Sequence, residues 1–174
     1  EKFDISNYEL LDKNGNYINI GDILYIEKYE PYPIKNQPEN IIVDFKNNVQ
    51  IIKNDYNNIC RILESKQNFN SDHIFFNNME YITEHELKKI NNVYSLIIIK
   101  VSKLLIYTNS YNKTKANFLF NSRKYTNFSV TDQEYFDKND YLLKNAYLII
   151  SIPDNPYPED KYYKFIAKIF PSNK

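Results

Sequence analysis

Cys60, His73 and His85 are the side chains best suited to nucleophilic or metal chemistry in this chain of 174 residues, which holds one cysteine and two histidines. A thiol nucleophile needs a lowered pKa and an oxyanion hole, and small residues let the backbone come close enough to form one. No glycine lies near Cys60, which falls on the apolar side of a predicted helix, where free cysteine acts as a small hydrophobe. His85-Glu86 does not extend to an HExxH pattern, and two histidines without converging carboxylates make no zinc site. Gly15 and Gly21 are the only glycines. A P-loop, a G-x-G-x-x-G turn and a G-x-S-x-G elbow are therefore all impossible. A single cysteine also excludes an intramolecular disulfide. No catalytic residue, metal or cofactor is expected, and the chain reads as non-enzymatic.

Charge gives the stronger signal. The total is zero, but residues 1–86 carry 15 acids and 8 bases, residues 87–130 carry 8 bases and no acid, and residues 131–174 carry 7 acids and 6 bases. The middle segment interleaves its bases with aromatic side chains, the combination that contacts single-stranded nucleic acid or an anionic membrane surface. The candidate binding residues are Lys100, Lys103, Lys113, Lys115, Arg123, Lys124, Tyr107 and Tyr111. The acids after residue 130 (Asp132, Glu134, Asp137, Asp140, Asp154, Glu159 and Asp160) would bind calcium only if three or more converged. Asn112-Lys113-Thr114 and Asn127-Phe128-Ser129 have the form of glycosylation sequons.

These residues need strands to position them. DKNGNYINIGD, Asp12 to Asp22, predicts a type I′ turn at Asn14-Gly15, pairing Leu10-Leu11 with Tyr17-Ile18. A second turn at Gly21-Asp22 leads into Ile23–Ile26, folding a third strand back on the second. The same stretch fails as a calcium loop, because its sixth and twelfth positions are Tyr17 and Ile23. Tyr29 to Glu39 has three prolines and predicts an extended loop. Strands follow at 41–45 and 49–52. Apolar residues at 56, 59, 60, 62 and 63 predict a helix over Asp55 to Lys66. Thr83 and Glu86 match a capping box opening a short helix through Ile90. Strands are then expected at 93–100, 103–108, 116–121, 126–130, 141–152 and 162–170. The last sets Tyr163, Phe165, Ala167 and Ile169 on one face, Lys164 and Lys168 on the other. The expected fold is mainly β, a sandwich or barrel with two or three short helices, with α+β as the alternative. It forms one domain, or two subdomains over 1–88 (mixed) and 89–174 (all-β). Val93 to Thr108 spans 16 residues with Lys100 and Lys103, too short and too charged for a membrane helix.

Twenty lysines against two arginines, 26 asparagines, 17 tyrosines and no tryptophan make up a composition that resembles malaria-parasite proteins from an AT-rich genome. DKNGNYINIGDIL resembles the opening of small β-barrel phage proteins of the YopX type. DYLLKNAYLIISIPDNPYPEDKYYKFIAKIFP, Asp140 to Pro171, resembles the end of the C2-like sandwich of calpains. The family's glycine before the first strand is replaced near Asn145, and its tryptophans are absent. That resemblance implies a non-catalytic regulatory sandwich that contacts lipid or protein. The expected function is a non-enzymatic, protein-binding module of a larger or processed protein. The alternatives are an anionic-lipid or nucleic-acid contact through residues 87–130, and a C2-like regulatory domain. No small-molecule substrate is expected.

Overall fold

The computed structural model describes residues 11–19, 21–53, 56–66, 73–91, 93–136, 138–157 and 159–172. It divides into two compact units. The smaller runs to Pro33 and resumes from Glu39 to Ile59; the larger takes Ile34–Pro38 and the chain from Cys60 onward. Residues 88 and 89 both lie in the larger unit. Leu10, Asp55, Asp137 and Pro158, each used in the sequence reading, lie outside the described residues.

In the smaller unit the chain reverses at Asp12–Asn16. The Gly15 amide donates to the Asp12 carbonyl at 2.9 Å, and the Asp12 amide donates to the Asn16 carbonyl at 2.9 Å. Only Gly15 takes a left-handed conformation there, at φ +78. The expected type I′ turn is thus a three-residue loop closed by a left-handed glycine. Its cause is the Asp12 side chain, which accepts from the amides of Asn14 at 2.9 Å, Asn16 at 2.8 Å and Ile51 at 3.2 Å. Leu11 pairs with Tyr17 as expected. Strand β1 (Ile23–Ile26), however, pairs antiparallel with β4 (Val49–Ile52), not with the second arm of the hairpin. Gly21 has φ +97, and a Cβ there would lie 2.5 Å from the Ile59 side chain on helix α2 (Tyr56–Lys66). Glycine is needed both for conformation and for close approach. The proline-rich segment supplies β2 (Glu30–Pro31), which pairs with β3 (Ile41–Ile42). Strand 41–45 is cut short because Asp44 caps helix α1 (Phe45–Asn48).

The larger unit is organised around a closed barrel. Its strands are β6 (Leu96–Thr108), β7 (Thr114–Phe120), β8 (Arg123–Val130), β9 (Tyr141–Ser151) and β11 (Phe165–Pro171). The order around the barrel is β11-β8-β7-β6-β9, and β11 closes it by pairing antiparallel with β9 and parallel with β8. Strands β9-β6-β7-β8 form a Greek key. The two strands expected at 93–100 and 103–108 are one, β6. It bends at Lys103, where φ is +51 and the register with β7 shifts by a residue. Asn127, at φ +64, makes the same offset in β8, and β11 shifts between Ile166 and Lys168. Each bulge changes the pleat so that core residues three apart, Val101/Leu104, Tyr125/Phe128 and Ile166/Ile169, all face inward. Bulges of this kind let a five-stranded sheet curl shut. The calpain-like resemblance over 140–171 implies the end of an open C2-like sandwich. Instead β9 and β11 are adjacent staves of one barrel, so the structure corrects that expectation.

Strand β10 (Lys161–Tyr163) pairs with β5 (Tyr81–Thr83), and the capping box opens helix α3 (Glu84–Leu87). The Thr83 amide donates to Glu86 Oε2 at 2.8 Å, and the Glu86 amide donates to Thr83 Oγ1 at 3.2 Å. The alternating lysines, Lys164 just before β11 and Lys168 within it, take unexpected places. Lys164 is only 1% exposed. Its ammonium donates to the carbonyls of Ile74 at 2.7 Å, Asn77 at 2.9 Å and Met79 at 2.8 Å, and to Asn77 Oδ1 at 2.6 Å. Burial pushes the amine down to about 7, while the Glu86 carboxylate opposes that shift. Lys168 is buried beside Asp132, at 3.1 Å, and reaches Glu134 at 2.8 Å.

Replacing Lys164 with methionine keeps the side-chain length but removes the ammonium shared by the Ile74, Asn77 and Met79 carbonyls and Asn77 Oδ1. Chemical denaturation of Lys164→Met is expected to show a loss of roughly 3 kcal/mol or more. Asp12 offers a pH test. Burial raises its pKa, but the amides of Asn16, Ile51 and Asn14 and the Asn16 side chain outweigh that and hold it at about 2, against 3.8 for a free carboxyl. The unfolded chain then binds the proton first as pH falls. Asp12 therefore stabilises the fold fully above about pH 4 and loses that effect as pH drops through about 2. An NMR titration should place its midpoint near 2, and the stability gap to Asp12→Asn should shrink between pH 4 and 2.

Candidate functional site

The basic segment becomes strands β6, β7 and β8 with the two hairpin loops that join them. In the β6–β7 loop, Asn109 Oδ1 accepts from the amides of Tyr111 at 3.0 Å and Lys113 at 2.9 Å, while Asn112 turns left-handed at φ +56. A short polar side chain here does the work of glycine. The loop presents Tyr111, which is 81% exposed, and starts β7 at Lys113-Thr114. At the opposite end, Asn121 and Ser122 take φ +47 and +63, a two-residue reversal without glycine that sets Arg123 and Lys124 on the rim.

Register places the candidate residues. Tyr107 faces Lys115, and Lys115 faces Ser129, in one outward row across β6, β7 and β8. The Lys115 ammonium donates to Ser129 Oγ at 2.9 Å and to the Asn127 carbonyl at 3.4 Å. Farther along, Ser102 faces Leu119 and Leu119 faces Lys124, with the exposed Lys103 at the bulge next to this row. The structure thus makes two basic groups on one face: Lys113 with Lys115 near the β6–β7 loop, and Lys103 with Lys124 at the far end, whereas Arg123, registered opposite the inward-facing Phe120, lies on the other side of the sheet at the barrel's rim. Four residues of strand separate the Lys115 and Lys124 rows, roughly 13 Å. Lys100 belongs to neither group. It faces Tyr147 of β9, lies 5.2 Å over that ring and pairs with Glu64 at 3.1 Å, which holds its ammonium above the usual range.

Beside the first group lies a cleft of about 520 Å³, lined by the β6–β7 loop, Lys113, Lys115, Ser129, Thr131 and Phe136. Hydroxyls and two ammonium groups make it suited to an anion. A second concavity, of about 640 Å³, lies within the smaller unit and carries Glu27, Glu30 and Asp44 beside Tyr29 and Ile42, the opposite character. Ser129, Thr131 and Phe136 were not foreseen, because facing strands bring them to Lys115 across a gap in sequence. Glu80 is a further unforeseen neighbour: Asn127 Nδ2 donates to its carboxylate at 3.4 Å, placing one acid beside the middle of the basic face.

The aromatic side chains of β7 and β8 all turn inward. Phe118, Phe120, Tyr125 and Phe128 are buried, and Phe118 stacks on Tyr125 at 5.5 Å and meets Phe128 edge-on at 5.2 Å. Among the described residues no three His, Cys, Asp or Glu side chains gather into a group that could hold a metal. Asp132, one of the acids considered for calcium, is committed to Lys168 and to the Ile169 amide at 2.9 Å. Cys60 is a free, half-buried thiol on α2, and His73 is hydrogen-bonded to Asn78 at 2.9 Å. No helix among the described residues is long and apolar enough to cross a membrane.

No curated protein and no solved structure matches the chain. One family does, over residues 2–169, and the closed five-stranded Greek-key barrel of the larger unit has the OB architecture that the family's description names. By fold and by the extent of that match, this chain belongs to the dual OB-containing domain (DuOB) family.

Proposed function

We propose that the protein is a non-enzymatic binding module that holds single-stranded nucleic acid on the outer face of β7 and β8. The observation that carries this reading is the pair of basic groups along that face, in a segment without a single acid from 87 to 130. OB barrels take oligonucleotides on their second and third strands and on the loops after the first and fourth. Here those elements are β7, β8, residues 109–113 and residues 152–164, the last of which exposes Tyr157. Backbone phosphates would meet Lys113, Lys115, Lys103 and Lys124, and the cleft hydroxyls would add neutral donors.

The test is fluorescence anisotropy with a labelled single-stranded 12-mer at 50 and 200 mM salt. Neutralising three or four phosphates predicts a log–log salt slope of about −2 to −3. Lys113→Glu with Lys115→Glu should weaken binding roughly tenfold or more, and Glu80→Gln should tighten it a few-fold by removing the acid beside the track. Absence of binding at low salt, or binding unmoved by the charge reversals, would overturn the reading.

A protein-binding reading has its own observation. On the β1–β4 ribbon, Ile23 and Tyr25 share an exposed face with Gln50 and Ile52. An apolar contact there should persist in 0.5 M salt and be lost in Tyr25→Ser with Ile52→Lys, measured against a partner identified with the wild type.

A further inference from the structure

The two ends of the β7–β8 face differ in a way the charge pattern does not show. Near Lys113 and Lys115 there is aromatic surface: exposed Tyr111 on the loop, half-buried Tyr107 in the Lys115 row, and Phe136 in the cleft wall. Toward Lys124 there is none. The outward residues of β7 and β8 in that half are Asn117, Leu119, Lys124, Thr126 and Asn127, and the rings of the same strands are locked against one another inside the barrel. The two amides, the groups best able to read a base edge, already have partners. Asn117 Oδ1 accepts from the Asn127 amide at 2.9 Å, and the Asn127 side chain donates to Glu80. Base stacking is worth about 1–3 kcal/mol per base, whereas a lysine holds a phosphate whatever base it carries.

We propose that the face takes a strand asymmetrically: bases stack at the Tyr111 end, while the Lys124 end grips only the sugar–phosphate backbone. This rests on the nucleic-acid reading above and adds a direction to it. One end of a bound strand is held by its bases, and the rest passes over the barrel indifferent to sequence. Lys103 and Lys124 then serve as a cationic rail, and Tyr111 as the contact that sets the position of the strand. Tyr111 touches little of the fold, so its removal leaves the barrel intact.

The experiment uses the full chain and three labelled hexamers at 50 mM salt: thymidine throughout, abasic in its 5′ half, and abasic in its 3′ half. One half-abasic hexamer should bind within about threefold of the complete one. The other should be weaker by about tenfold, the effect of one or two lost stacked bases. Tyr111→Ala should bring the two half-abasic hexamers together, and Lys103→Glu with Lys124→Glu should weaken all three alike. Equal losses for both half-abasic hexamers, or no loss for either, would overturn the asymmetry while leaving nucleic-acid binding in place. Failure of every hexamer and of the 12-mer to bind would remove the functional reading itself.

Discussion

The barrel depends on a short parallel closure. Strands β8 and β11 pair directly at only Ser129–Phe165 and Val130–Ile166. Two residue pairs are a weak ladder, and parallel pairing is slightly weaker per residue than antiparallel. The chain strengthens it just past the last pair. The Thr131 amide donates to the Ile166 carbonyl at 2.9 Å, and Asp132 accepts the Ile169 amide while pairing with buried Lys168. Asp132 also caps the 3₁₀ turn Gln133–Tyr135 through the Glu134 amide at 3.3 Å. One carboxylate therefore ends β8, starts the turn toward β9 and pins β11. A buried charge pair gives little net stability, but losing one partner strands the other in low dielectric. The clamp thus specifies which strands meet more than how strongly they hold.

That closure also explains the surface. Once β8 lies between β7 and β11, Ser129 lies beside Lys115, and the inward turn of Tyr125 and Phe128 leaves the outer face polar. The same bulge at Asn127 that brings both rings inside tilts its own carbonyl to the Lys115 ammonium. Core packing and the arrangement of surface charge are consequences of one extra residue in one strand. On the other side of that strand, loop 73–80 is held by Lys164 and touches β8 through the Tyr125 hydroxyl on Asn78 Oδ1 at 2.9 Å and through Asn127 on Glu80.

Much of this was legible in the sequence where short-range rules decide. Thr83-Glu86 announced a cap, the spacing from Ile59 to Leu63 announced a helix, and the partial alternation over 162–170 announced a strand. The basic run 87–130 announced a charged surface, and Lys113 and Lys115 do share a face. What could not be read is what one strand does to another. Lys164 and Lys168 look like a solvated face of a strand, because nothing local says that a loop 85–90 residues earlier supplies four oxygens to one, or that Asp132 waits for the other. Lys100 looked like Lys113 until α2 brought Glu64 to it. The bulges left a faint trace, in core residues three apart inside stretches that otherwise alternate by two. The sandwich suggested by Asp140 to Pro171 failed for the same reason: a hairpin-like segment does not say whether its sheet closes.

The five residues Ile34–Pro38 carry a consequence for modularity. They sit in the sequence of the smaller unit, yet belong with the larger one, where Asn36 donates to the Pro153 carbonyl and Gln37 to the Ile152 carbonyl at 3.2 Å. No single cut of the backbone separates the two units cleanly. A fragment beginning at Cys60 would keep every stave of the barrel and still lack the finger that satisfies the exit of β9. During synthesis that finger emerges first and must wait for more than a hundred residues before its carbonyls exist. The two units are therefore interlaced in sequence, and the larger is complete only with a segment that lies within the sequence span of the smaller.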